Sequence, residues 1–282
     1  MPSAGRILKG LLFILAASWL GICAYLWWLQ ARLIIPPFGP ESVNTEGLRR
    51  AAYRVEEVTI AGSPALRGWF IPARAAAGPK APLLILFLGN MEEPSWLLPE
   101  IAPVLPEVAL LAVNYRGQGL NRGEPGEDAL FADALRIYDH GRARPDVDGE
   151  AIHALGRSLG SGVAVYLATQ RKVKSLLLVT PYDSIRAVSR RMYPFVPIGW
   201  LLRHPFDSLS RASGMRTPAL FMIAGRDTVI PPEHARRLYD AWAGARQWRL
   251  YAGAGHNEIF DAPDLYAHAR EFLGLPPRLP PG

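Results

Sequence analysis

Ser158 stands between two glycines in Gly156-Arg157-Ser158-Leu159-Gly160, and that spacing suits a nucleophile. The apolar run Ala151–Leu155 precedes it and the helix-like stretch 161–168 follows. A sharp turn between a strand and a helix forces the serine into a strained backbone, and flanking glycines relieve the crowding. It also exposes the hydroxyl at a helix amino end, where backbone N–H groups favour negative charge. A hydroxyl is a poor nucleophile until a base takes its proton, and the base needs an orienting acid.

The chain has six histidines. His153 falls within the strand leading to Ser158, and His140 near the end of an upstream helix. His204 lies in a Pro-rich aromatic segment, and His234 and His268 fall in helical patterns expected to present a solvated face. His256 differs, because Gly253-Ala254-Gly255-His256-Asn257 forms a loop beyond the run Trp248–Tyr251. Such a loop can carry an imidazole over the strand edge. The acid is expected between the two, after a strand. Ala219–Ala224 is wholly apolar, as a strand buried on both faces would be, and ends in Gly225-Arg226-Asp227. The reading is Ser158 nucleophile, Asp227 acid and His256 base. Two backbone amides would hold an oxyanion: Leu159, after the nucleophile, and Asn90, in the loop after Leu83–Leu88.

The elements that must position these residues can be read from periodicity. Val55–Ile60 and Ala65–Ile71 alternate as an antiparallel hairpin. Strand–helix repeats follow, with strands centred on Leu84, Leu111, Ile152, Leu177, Phe221 and Leu250. Helices are expected near Leu97, Ala134, Val165, Arg236 and Tyr266. The fold class is therefore α/β: a mostly parallel eight-stranded sheet of α/β-hydrolase type, with helices on both faces. Residues 181–216 interrupt the repeat and are expected to form a small lid. Met91, Tyr182, Tyr193, Phe195 and Trp200 would line an acyl pocket beneath it. Arg190, Arg191 and Arg203 would meet lipid headgroups or an anionic substrate; a core-packed helix with a basic solvated face explains them equally well.

Several motifs in one order identify a resemblance. They are Leu66-Arg67-Gly68-Trp69-Phe70-Ile71-Pro72, Gly89-Asn90, Asn114-Tyr115-Arg116-Gly117-Gln118-Gly119, Gly123-Glu124-Pro125 and the Ser158 pentapeptide. Tyr193-Pro194-Phe195-Val196-Pro197, Phe206-Asp207-Ser208, Gly225-Arg226-Asp227 and Gly255-His256-Asn257 complete the set. The chain resembles the Bem46-like (ABHD13-like) α/β hydrolases, membrane-anchored serine hydrolases. The triad points to a serine hydrolase that cleaves carboxylic esters or thioesters through an acyl-enzyme, with no cofactor expected, and the apolar amino-terminal stretch and expected lid lean towards acyl lipids. The resemblance departs at Leu88, where that family usually has histidine. An acyltransferase or peptidase would use the same triad, and a silent membrane-tethered scaffold is the reading from another class.

Half of the residues are hydrophobic, enough for one large core, and the net charge is +6. The arginines are scattered without interleaved aromatics, so nucleic acid is not an expected partner. Residues 10–31 carry no charge and are long enough to cross a bilayer. Arg6 and Lys9 precede the stretch, and Trp27 and Trp28 suit its far interface. These features favour an uncleaved signal anchor with a cytoplasmic amino terminus and the catalytic domain across the membrane, periplasmic in a bacterium. Its length and the lack of an A-x-A site weigh against a cleaved signal peptide. Cys23, the sole cysteine, falls inside it, so no internal disulfide or Cys/His metal site is expected. The expected division is 1–35 anchor, 36–50 linker, 51–275 hydrolase domain and 276–282 Pro-rich tail.

Overall fold

The computed structural model describes residues 3–50 and 54–277. The expected start of the catalytic domain at 51–53, and residues 278–282 of the expected tail, lie outside them. Eight strands form one sheet: β1 Glu56–Ile60, β2 Leu66–Ile71, β3 Ala81–Phe87, β4 Ala109–Val113, β5 Val147–Arg157, β6 Ser175–Val179, β7 Ala219–Ala224 and β8 Arg246–Tyr251. Their order is β1-β2-β4-β3-β5-β6-β7-β8. The β1–β2 and β2–β4 pairs are antiparallel and the rest parallel. The chain runs from β3 to β4 on one side and then to β5 on the other. The order therefore reverses beside β3, and the carboxyl ends of β3 and β5 border the crevice where open sheets bind ligands.

The helices are α1 Ala4–Ile34, α2 Thr45–Arg50, α3 Pro94–Val104, α4 Glu127–Arg142, α5 Leu159–Gln170, α6 Ile185–Met192, α7 Ile198–Leu201, α8 Leu209–Ala212, α9 Pro232–Ala241 and α10 Leu265–Phe272. Strand residues alternate between two cores, as a period of two requires. Leu83, Ile85 and Phe87 of β3 join α4, α5 and α9 on one face. Leu84 and Leu86 face α3 and α10 on the other. Strands buried on both faces have to be nearly continuous apolar runs, which is why β3, β4, β6 and β7 are legible in the sequence. Edge strand β8 is half exposed and begins with the polar residues Arg246 and Gln247, so its apolar signal covers only its end.

α1 is the one helix among the described residues long and apolar enough to cross a membrane, with mean hydropathy 2.0 over its most apolar window. Nearly all its side chains are exposed; Cys23 and Gln30 are the buried ones. Its last turns pack against the expected lid, which folds as three short helices, α6 to α8. Gln30 Nε2 donates to Leu201 O (3.1 Å), and Gln30 Oε1 accepts from Arg203 N (2.6 Å).

Candidate active site

Ser158 caps α5 in a strained conformation, φ 49° and ψ −120°. Its N–H donates to Val179 O of β6 (2.9 Å), and its carbonyl accepts from the Ser161 hydroxyl (2.7 Å). The glycines beside it are required sterically. A Cβ at Gly160 would collide with the Phe87 carbonyl at the end of β3, and one at Gly156 would meet Ser161 Cα at 2.6 Å. This close approach sets the start of α5 against the Gly89-Asn90 loop.

Two hydrogen bonds tie the loop after β7 to the loop after β8: Gly225 N to Tyr251 O (2.9 Å) and Arg226 N to Ala254 O (2.9 Å). They hold Asp227 and His256 side by side. Asp227 is buried, and its Oδ1 accepts from Val229 N (2.9 Å) and Ile230 N (2.7 Å). Its Oδ2 lies 2.7 Å from His256 Nδ1. His256 Nε2 lies 3.0 Å from Ser158 Oγ. A carboxylate accepts only, so Nδ1 carries the imidazole proton and Nε2 is free to take the serine's. The three side chains, from loops after three strands, thus form one hydrogen-bonded chain at the sheet edge. Asn90 and Leu159 line the same cavity. The Gly89 amide is committed to Glu92 Oε2 (2.5 Å), which leaves Asn90 as the next amide of that loop. Leu88 is buried in the sheet core, and its carbonyl accepts from Tyr115 Oη (2.8 Å).

The cavity holds about 580 Å³, a common size for a small-molecule site. One end is polar, with Ser158, His256, Asn90 and Asn257; the walls are apolar. Leu26, Trp27, Leu33 and Ile34 of α1 form part of them, opposite Ile185, Val188 and Met192 of α6. Met91 and Tyr193 line this cavity. Three other expected pocket residues do not. Tyr182 is fully buried beneath α5, and its hydroxyl donates to Leu159 O (3.0 Å); absence of a side chain at Gly162 leaves room for it. Phe195 and Trp200 point outward, 87% and 95% exposed; the apolar inner side of the lid is supplied instead by Ile185, Val188 and Met192 of α6 together with Val196, Ile198 and Leu201. His234 is also placed differently from the solvated face expected of it. It is buried at 2.7 Å from Asp183, which Arg237 Nε also reaches (2.6 Å). Among the described residues, no group of three His, Cys, Asp or Glu is placed to hold a metal ion.

Two residues escaped the motif reading. Arg157 is buried, and burial pulls its guanidinium down to about 10. It donates to His256 O (2.9 Å) and Asn257 Oδ1 (3.3 Å), and it pairs with Glu92. It therefore clamps the histidine loop to the Gly89-Asn90 loop. A charge at the end of an apolar strand was its signal. Gln30 was the other, the one amide side chain in the charge-free stretch.

The fold and this site define an α/β hydrolase. The chain is 33% identical over 258 residues to an uncharacterized protein of Mycobacterium tuberculosis, Rv2307c, covering 90% of each. It belongs to the same family as that protein. It is also 26% identical to the α/β hydrolase domain-containing protein WAV2 of Arabidopsis thaliana, covering 77% of this chain and 76% of that one. Identity to the lysophosphatidylserine lipase ABHD12 of Gallus gallus is 28%, over 59% of this chain and 51% of that protein, about half its length. Among solved structures, the Pyrococcus furiosus esterase Pf2001 has the same fold (TM-score 0.66, 16% identity, 86% of this chain and 97% of that one). No known protein-family model matches the chain.

Proposed function

We propose that the chain is a serine hydrolase that cleaves carboxylic esters or thioesters with an acyl chain. The hydrogen-bonded series Ser158–His256–Asp227 at the polar head of an apolar cavity carries this reading. Ser158 Oγ attacks the ester carbonyl while His256 Nε2 takes its proton. Asp227 keeps Nδ1 protonated and steadies the imidazolium. The tetrahedral oxyanion is held by the Asn90 and Leu159 amides. Collapse expels the alcohol or thiol, which receives the proton from His256 and leaves Ser158 acylated. Water, deprotonated by His256, attacks the acyl carbonyl; the acid departs and the serine recovers its proton.

The lipase activity in the name of the Gallus gallus relative supports an acyl-lipid substrate, as do the apolar cavity walls. The Bem46-like subgroup fits the motifs quoted above. α1 serves as a membrane anchor, and Arg6 and Lys9 keep the amino terminus cytoplasmic with the catalytic domain on the far side. The catalytic unit runs from about residue 51 to 275. A labelled fluorophosphonate tests the chemistry: the wild type takes up label and Ser158→Ala does not. Equal labelling of both proteins, or none of the wild type, refutes the reading.

A further inference from the structure

The lid touches α1 at two heights. Phe195 O accepts from Trp19 Nε1 (3.1 Å), while Leu201 O and Arg203 N bond Gln30. Positions 19 and 30 are about 16 Å apart along a helix rising 1.5 Å per residue. That is roughly half of a ~30 Å hydrocarbon core, and both positions fall inside the charge-free stretch 10–31. A lid that follows α1 over this length follows it into the bilayer.

The lid surface has matching chemistry. Met192, Tyr193, Phe195 and Trp200 are all exposed, and the last two cover nothing in the protein. Large aromatics that project this far mark an interaction surface, and here they adjoin the apolar surface of α1. Pro194 and Pro197 have no N–H to satisfy. Tyr193, Val196 and Ile198 donate theirs to Ser189 O, Tyr193 O and Val196 O, which lowers the cost of leaving water. Arg190, Arg191 and Arg203 are exposed around this tip, and Arg203 stacks on Trp27 with its guanidinium carbon 4.5 Å from the ring centroid. Long arginine stems can carry their charge out to headgroups.

We infer that the lid tip, Phe195 and Trp200, is sunk in one leaflet beside α1, and that the cavity between α1 and α6 receives acyl chains sideways from that leaflet. The occupant of this surface is lipid. The first half rests on the lid–α1 contacts and on the anchoring role proposed for α1; the second rests also on the hydrolase reading above. Between Leu26 and Leu33 of α1 and Val188 and Met192 of α6, a chain moves from leaflet to Ser158 through apolar surroundings. The substrates are therefore long-chain esters that reside in the bilayer.

The test uses the full chain in liposomes. In a Cys23→Ala background, Trp200→Cys carries an environment-sensitive nitrobenzoxadiazole probe, with Lys172→Cys as the water-facing control. Emission at 200 shifts to the blue and is quenched by doxyl-labelled lipid, whereas emission at 172 is not. A water-like probe at 200, or one shielded only as protein density rises without doxyl quenching, overturns the proposal; the latter result means a second copy of the chain covers the tip. In a second arm, F195E/W200E loses about tenfold in kcat/KM on p-nitrophenyl palmitate held in vesicles, the order expected when aromatic burial is forfeited. Hydrolysis of soluble p-nitrophenyl acetate is unchanged. Equal loss on both esters, or on neither, refutes lateral entry. If the wild type cleaves neither ester, the hydrolase reading and lateral entry fall, while the probe result still decides the position of the lid.

Discussion

At Asp227 one carboxylate does two jobs: one oxygen fixes its own turn through two amides, the other fixes an imidazole. Asp227→Asn keeps the turn but offers an amide where His256 needs an acceptor, so the imidazole takes the wrong tautomer. Esterase kcat should fall by about 10⁴ with little change in fold; steady-state rates and circular dichroism check this. Away from the site, His153 is buried with Nδ1 2.7 Å from Ser175 Oγ, and burial depresses it to about 4. Its neutral form is the folded one, so its contribution is whole above pH 6.5 and is lost as pH falls through 4. That amounts to about 3 kcal/mol. Glu93 has the opposite sign: burial raises it to about 6, so its contribution is present below pH 4.5 and is lost as pH rises through 6. Denaturant unfolding of wild type and His153→Leu isolates the histidine. The wild-type advantage should shrink by about 3 kcal/mol between pH 6.5 and 4; a constant difference would show that His153 is not kept neutral by the fold.

At the level of elements, the site is a set of loop junctions, and Arg157 joins two of them. Arg157→Met removes the bonds to His256 O, Asn257 and Glu92 while keeping the stem. His256 then samples off-target positions. The expected loss is 10- to 100-fold in kcat, following from about 1.5–3 kcal/mol for hydrogen bonds to a charged group, with KM nearly constant. A rise in KM alone would place Arg157 in substrate binding instead. The strands before Ser158 and Asp227 were legible because each ends as a buried apolar run closed by glycine, whereas β8, half exposed at the sheet edge, was marked only by its apolar end and the Gly-rich loop that carries His256. The opening hairpin was read to within a residue at each end. The lid's inner and outer faces were not legible. Phe195 lies between helices and Trp200 in a helix of four residues, too short to display a period, so aromatic identity suggested for them a pocket wall that α6 and the aliphatic residues Val196, Ile198 and Leu201 supply instead. Tyr182 was misplaced for a related reason: following a strand says nothing about turning under α5.

Across the whole molecule, the seam between α1 and the catalytic domain depends on a few polar contacts in an apolar setting. Gln30 is buried and makes three hydrogen bonds, to Trp27 O, Leu201 O and Arg203 N. Gln30→Ala orphans the last two groups, at about 1–3 kcal/mol each. Hydrogen exchange at the Arg203 amide should accelerate by about 10-fold or more, with the β3 and β5 amides unaffected. Unchanged exchange at Arg203 would mean that the seam does not depend on Gln30. No periodicity in a uniformly apolar stretch could have revealed this docking, because the sequence shows that α1 is greasy without showing which side meets protein.

Leu26, Trp27, Leu33 and Ile34 give the leading segment a second occupation. If α1 is the anchor proposed above, a tether of equal length borrowed from another protein would still attach this one, but it would reshape the cavity proposed to hold the acyl tail. Attachment and selectivity would then be inherited together, the choice of tail written partly in residues that a domain-boundary diagram would discard.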